Sequence, residues 1–128
     1  MDFAEIGLVL DRRLDSLLSP PRAAHSRRVA ELAASLCERE GIDPGMGRVA
    51  GLAHDMCKEM PRKAQRELAA LFPDPGPIPA DRSALMADKI VHGPAASAML
   101  VRDYTLTDGA ILEAVALHTV GKPGMRIL

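Results

Sequence analysis

The chain has 128 residues, of which 48% are hydrophobic and 26% charged, and its 16 basic and 17 acidic side chains nearly cancel. This length and balance predict one globular domain and exclude a disordered chain. The interspersed charges argue against nucleic acid or a membrane surface as partner, because non-specific binding to either requires a concentrated basic field. The sequence also contains no apolar run of about 18 residues, the length that a membrane-spanning helix needs.

Apolar side chains recur at helical spacing along most of the chain, and only 2% of residues are aromatic. Both features favour helices over strands. We therefore predict an all-α fold, a bundle of about six helices. Prolines, glycines and capping aspartates set the predicted boundaries. The approximate elements are helices over 2–18, 21–41, 43–57 and 61–71, a stiff proline-rich surface loop over 73–79, a short helix over 85–90, a helix entered at His92-Gly93-Pro94, and a last helix capped by Thr107 or Asp108 and stopped by Gly121.

Four histidines are the side chains best suited to chemistry: His25, His54, His92 and His118. Taken singly, each has an ordinary structural explanation as a core residue, a helix cap or a partner of a helix dipole. We expect His25 to face the core, because it shares a helical stripe with Val29, Leu32 and Leu36, which we predict to point inward.

The pair His54-Asp55 is more informative because it lies in a segment of otherwise apolar and small residues. Burying a lone carboxylate is costly unless a metal, another cation or a hydrogen-bond network accompanies it. Imidazole and carboxylate ligands together suit Fe, Mn, Co, Ni or Zn better than Mg alone. Since the four histidines are 29, 38 and 26 residues apart, such a site would be assembled from several helices of a bundle.

The order of these residues resembles that of a known family. The matching features are Arg22-x-x-His25, the segment GLAHDMCKEMP with His54, Asp55 and Lys58, the segment IVHGPAAS with His92, and HTVGKPGM with His118. They are similar to the HD superfamily of metal-dependent phosphohydrolases, and more narrowly to the YqeK-type bacterial symmetrical diadenosine tetraphosphate hydrolases. The resemblance covers most of the chain from Arg22 onward.

The resemblance implies a role for each matching residue. His25, His54 and Asp55 would be metal ligands, with Asp55 able to bridge to a second ion. His92 and His118 would bind a second metal or the substrate phosphates. Lys58 and Arg22 would neutralise phosphate oxygens.

The implied reaction is hydrolysis of a nucleotide phosphoanhydride, above all the symmetrical cleavage of diadenosine tetraphosphate to two ADP. A divalent metal, with iron favoured, would activate the attacking water and hold the phosphate. Asp55, His92 and His118 would be the catalytic residues, and either of the two histidines could donate a proton to the leaving oxygen.

One departure from the family pattern affects this prediction. The family continues into a further helix whose Asp completes the metal shell, whereas this sequence stops shortly after Met125. We therefore expect residues 1–128 to form a single HD domain that is incomplete at its C-terminal end. Such a domain would expose apolar surface at Ile111 and Val115, which predicts a homodimer or reduced stability.

A second function class stays open beside the enzyme. A catalytically weakened HD module could bind nucleotide without efficient hydrolysis, or act as a signalling or interaction domain. Neither class fixes the location, but two cysteines are too few for a disulfide framework and the N-terminus does not resemble a secretory signal. The predicted location is the cytoplasm.

Overall fold

The computed structural model describes residues 2–71 and 91–118, and these two ranges contain six α-helices. The all-α prediction is confirmed. The predicted loop over 73–79 and helix over 85–90 lie outside the described residues. No helix in the described ranges is both long and apolar enough to cross a bilayer. The helices are α1 (Phe3–Leu17), α2 (Pro20–Arg39), α3 (Pro44–Ala53), α4 (Arg62–Ala69), α5 (His92–Tyr104) and α6 (Gly109–Ala116).

Aspartates begin three of these helices, as their short acceptor side chains favour. Asp2 accepts a hydrogen bond from the backbone N–H of Glu5, whose own side chain bonds back to Asp2. Asp43 caps α3 and Asp108 caps α6, which confirms the predicted start of α3 and selects Asp108 over Thr107 for α6. Two helices end earlier than predicted, at Ala53 and Ala116. His54, Asp55 and His118 therefore lie in the turns that follow helices.

The predicted inner face of α2 is wrong for Leu32 and Leu36, although Cys37 is buried as predicted. Leu32 and Leu36 are 61% and 47% exposed, whereas the buried face consists of small residues. The physical reason is the close approach of α2 to α3: a Cβ atom on Gly51 would lie 2.4 Å from the Cα of Ala30. At that separation only small side chains fit between the helices, so the leucines face outward. The buried residues of α2 are Ala23, Ser26, Ala30, Ala33, Ala34 and Cys37.

The expected exposure of Ile111 and Val115 is also wrong. These residues are 0% and 1% exposed, and both belong to the hydrophobic core. Helix α6 packs directly on α5, where a Cβ atom on Gly93 would lie 2.6 Å from the carbonyl oxygen of Ala116. In α5, every residue from His92 to Leu100 is buried. The homodimer, which rested on that exposure, stays a prediction without this support.

We expect Gly51→Ala to destabilise the protein, because the added methyl group would force α2 away from α3. Overpacking of this kind costs about 1–3 kcal/mol of unfolding free energy. Gly109→Ala is the matched control, since a Cβ atom there has no neighbour within 4 Å. Urea denaturation of both variants tests the close packing, and equal stability of the two would contradict it.

Candidate metal centre

Four separate segments bring the histidines together around one carboxylate. His25 projects from the second turn of α2, and His54 and Asp55 occupy the turn after α3. His92 is the first residue of α5, and His118 follows α6. The structure thus gathers all four histidines, as the sequence predicted. The close packing of α2 on α3 and of α5 on α6 positions the two halves of the site.

Asp55 lies at the centre, and each of its oxygens faces a different pair of histidines. Its Oδ2 atom is 3.3 Å from Nε2 of His54 and 4.0 Å from Nε2 of His25. Its Oδ1 atom is 3.3 Å from Nε2 of His92 and 3.4 Å from Nε2 of His118. The carboxylate therefore belongs to two potential ligand groups at once: His25, His54 and Asp55, and Asp55, His92 and His118.

Backbone hydrogen bonds orient two of the imidazoles. Nδ1 of His54 lies 2.6 Å from the carbonyl oxygen of Gly51, and Nδ1 of His118 lies 2.7 Å from that of Val115. A carbonyl oxygen can only accept, so we assign the ring hydrogen to Nδ1 in both residues. This tautomer leaves the lone pair of each neutral ring on Nε2, directed at Asp55. Metal-binding histidines are commonly held in this way by their second nitrogen.

The electrostatics of the cluster favour positive charge beside Asp55. Burial opposes ionisation of this carboxyl, but hydrogen bonds from the Nε2–H groups that His118, His54 and His92 carry when no cation is bound outweigh it and hold its pKa well below the ordinary value. For His54, burial lowers the pKa, yet the hydrogen bond and charge of Asp55 raise it overall. The carboxylate thus stays charged, and it stabilises positive charge on His54.

The donor atoms fit divalent cations. Two ligands on one ion, each about 2.1 Å from it, are separated by roughly 3.0–3.4 Å at octahedral or tetrahedral angles. The approaches of His54, His92 and His118 to Asp55 are 3.3–3.4 Å, and Nε2 of His92 is 3.1 Å from Nε2 of His118. Neutral imidazole lone pairs that converge on a carboxylate repel it unless a cation lies between them. The residues present therefore suit a metal centre that Asp55 could bridge.

His25 departs from the sequence prediction, because it does not face the core. Its side chain is 49% exposed, compared with 14% for His54, 5% for His92 and 17% for His118. It lies on the same outward side of α2 as Leu32 and Leu36, for the packing reason given above. His25 still reaches Asp55, so the site opens to solvent on the α2 side.

The two predicted phosphate-binding cations belong to the segments that carry His25 and Asp55. Arg22 is half-buried one turn before His25 on α2, and Lys58 is exposed three residues after Asp55. Neither side chain forms an ion pair with a described residue. The backbone N–H of Lys58 donates to the carbonyl oxygen of Asp55 at 2.9 Å, which ties this lysine to the metal-site turn.

Sequence reasoning missed the groups that support the ligands. The carbonyl oxygens of Gly51 and Val115 orient imidazoles, and the carboxylate of Glu59 accepts a hydrogen bond from the backbone N–H of Ser19 at the start of α2. Backbone carbonyls carry no residue-type signal. The available clue was position, because a histidine just beyond a helix end can reach a carbonyl three residues before it.

The fold and the cluster define a class of protein: a helical domain built around a histidine–aspartate metal-binding centre. The family model of the HD domain matches residues 22–127, a span that contains all four histidines and Asp55. The chain belongs to the HD-domain family.

The chain is also similar to three curated proteins. The chain is 29% identical over 111 residues to "Bis(5'-nucleosyl)-tetraphosphatase, symmetrical" of Bacillus subtilis (strain 168), covering 87% of this chain and 57% of the relative. It is 30% identical over 109 residues to the protein of the same name from Staphylococcus aureus, covering 84% and 53%. A "Probable nicotinate-nucleotide adenylyltransferase/Ap4A hydrolase" of Mycoplasma pneumoniae is 30% identical over 107 residues, covering 84% and 29%. The chain therefore spans little more than half the length of the two tetraphosphatases.

We expect Asp55→Asn to abolish metal retention, because it removes the negative charge that both ligand groups share while keeping the size of the side chain. Asp103→Asn is the matched control, since Asp103 pairs with Arg13 and Arg102 away from the centre. Elemental analysis after dialysis against Mn²⁺ should find metal in the wild type and the control, and none in Asp55→Asn. Equal metal content in all three proteins would contradict the assignment.

Proposed function

We propose that this chain hydrolyses phosphoanhydride bonds of nucleotides, and specifically cleaves diadenosine tetraphosphate symmetrically to two ADP. The observation that carries the proposal is the division of Asp55 between two pairs of histidines. Such a centre suits phosphoryl transfer, in which charge develops on several oxygens at once. The relatives from Bacillus subtilis and Staphylococcus aureus are named as symmetrical bis(5'-nucleosyl)-tetraphosphatases, which supports a dinucleoside tetraphosphate as the substrate.

The proposed ligand roles follow the two groups of donors. His25, His54 and Asp55 would hold one divalent cation, and Asp55, His92 and His118 would hold a second or contact a phosphate. When bound, such cations would lower the pKa of a water molecule and neutralise phosphate oxygens. The carbonyls of Gly51 and Val115 keep the imidazoles in place while this happens.

Lys58 and Arg22 would bind the polyphosphate on the open side of the site. A chain of four phosphates is strongly anionic, and an ammonium or guanidinium group with no ion pair to residues 2–71 or 91–118 is available to it. Because α2 carries Arg22 close to His25 and the turn carries Lys58 close to Asp55, these cations would direct an inner phosphate toward the ligand cluster.

Where His92 and His118 contact a phosphate rather than hold a second cation, one of them in its protonated form would assist departure of the leaving ADP. In the proposed reaction, the water oxygen bonds to an inner phosphorus while the bridging P–O bond breaks, and the departing oxygen needs a proton or a positive charge. His118 is more exposed than His92, with 17% against 5% of its side chain accessible. His118 is therefore the better placed of the two to meet the leaving group.

A second candidate function is nucleotide binding with weak or no hydrolysis, in a signalling or interaction module. The observation that favours it concerns the ligand count: within residues 2–71 and 91–118, Asp55 is the one carboxylate in either donor group. A centre with a single anionic ligand neutralises less of the charge of two divalent ions. An assay of diadenosine tetraphosphate hydrolysis separates the two candidates.

The finer assignments are proposals as well. Iron is the favoured metal, with Mn, Co, Ni or Zn as alternatives, because nitrogen and carboxylate donors suit all five. The cytoplasm as location and a homodimer as assembly stay predictions.

We expect the protein loaded with Fe²⁺ or Mn²⁺ to convert one diadenosine tetraphosphate and one water to two ADP, resolved by anion-exchange chromatography. His118→Gln should reduce turnover at least about 100-fold, in the range expected when general acid catalysis is lost, and Asp55→Asn should abolish it. Asp103→Asn should retain the wild-type rate. Release of ATP and AMP would contradict symmetrical cleavage, and metal-dependent nucleotide binding without product would favour the second candidate.

A further inference from the structure

The segment that follows Asp55 is a succession of tight turns rather than a helix. The backbone N–H groups of Met56, Lys58 and Met60 each donate to the carbonyl three residues earlier, at 2.9–3.1 Å. Met56 and Cys57 are fully buried, whereas Lys58 is exposed. The turn is therefore anchored in the core and presents its lysine to solvent beside the metal centre.

The side chain of Gln65, on α4, forms hydrogen bonds to the backbone of this turn. Its side-chain N–H₂ group donates to the carbonyl oxygen of Met60 at 2.9 Å and to that of Lys58 at 3.3 Å. The residue is 2% exposed, so these bonds form away from water. The opposite assignment of the amide would direct its oxygen at two carbonyl oxygens, which cannot donate. The amide hydrogens of Gln65 are thus both donated to backbone carbonyl oxygens, one on each side of Glu59.

The same side chain also carries a buried acceptor. The side-chain oxygen of Gln65 is buried and has no hydrogen-bond partner among the described residues. An unsatisfied buried acceptor costs about 1–3 kcal/mol. The two donated bonds offset that cost, and their shared effect is to fix the backbone at Lys58.

Lys58 is exposed, and its backbone N–H donates to the carbonyl oxygen of Asp55 at 2.9 Å, so the turn that holds the central ligand also carries this lysine. Lys58 has no ion pair within the described ranges, so its orientation depends on its backbone. A one-ångström displacement of a phosphate-binding cation weakens both its binding and its positioning of substrate.

We propose that Gln65 is a positioning residue that fixes the turn bearing Lys58, so that the ammonium group meets the phosphate of a nucleotide bound at the metal centre. This inference rests on the proposed function, because it requires a phosphate ligand. It adds a residue of α4, an element that supplies no ligand, to the substrate-binding apparatus.

A double-mutant cycle tests the proposal, with ADP and Mn²⁺ as probes. Titration calorimetry on the metal-loaded full chain would measure the ADP dissociation constant of wild type, Gln65→Met, Lys58→Met and the double variant. Loss of a charge-assisted phosphate contact by Lys58→Met should raise this constant about 10- to 100-fold. Gln65→Met should raise it by a smaller factor, and the double variant should match Lys58→Met alone, because Gln65 acts through Lys58.

Two control variants separate positioning from general destabilisation. Leu68→Met changes another buried residue of α4 with little change in volume, and Lys63→Met removes a lysine whose side chain is 89% exposed. Both should keep the wild-type affinity for ADP. Hydrogen exchange at the amides of Lys58 and Met60 should accelerate in Gln65→Met and remain slow in Leu68→Met.

The outcomes distinguish failure of the positioning role of Gln65 from failure of the proposed function. Multiplicative effects of Gln65→Met and Lys58→Met on the dissociation constant would overturn the positioning role while leaving the proposed function intact. Unchanged amide exchange in Gln65→Met would overturn it as well. Failure of the metal-loaded wild type to bind ADP would overturn the proposed function, and the positioning role with it.

Discussion

The attraction between the buried carboxylate of Asp55 and positive charge is the interaction on which the rest of this site depends. Asp55 is 5% exposed, so the cost of burying its charge must be compensated. Four imidazoles from four separate segments surround this carboxylate. Each oxygen serves one pair of rings, so one side chain joins the two halves of the domain. Residues 2–57 contribute His25 and His54, whereas His92 comes from α5 and His118 from the turn after α6. Binding chemistry and tertiary structure are therefore coupled at one residue.

Small residues make this convergence possible. Gly47 and Gly51 bring α3 against the alanines of α2, and Gly93 brings α5 against the end of α6. The helix backbones approach so closely that ligand side chains from neighbouring elements can meet at one point. Bulky side chains at these contacts would separate the helices and, with them, the histidines. The low aromatic content and the alanine-rich helices of the sequence are thus linked to the geometry of the site.

The sequence predicted the helical class, the capping aspartates Asp43 and Asp108, and the cluster of four histidines with Asp55, because periodicity, capping chemistry and motif order are local signals. It did not predict which side of α2 is buried. Its leucines form a convincing apolar stripe, yet the alanine face is the one that packs, since the separation of α2 from α3 is a tertiary property. The same limitation applies to Ile111 and Val115, whose burial depends on α5. Gln65 was missed because its partners are backbone carbonyls.

The backbone bonds to His54 and His118 have a further consequence, for the kinetics of cation exchange. Because the carbonyl oxygens of Gly51 and Val115 already hold these rings through Nδ1, the rings would not need to rotate when an ion enters or leaves. Little conformational entropy would then be lost on loading, and reorganisation of the ligands would not limit the rate. The accessible imidazole of His25 would provide a first contact for an arriving hydrated ion. Different divalent ions could thus replace one another in a scaffold that hardly changes, with their supply in the cell deciding which one is resident.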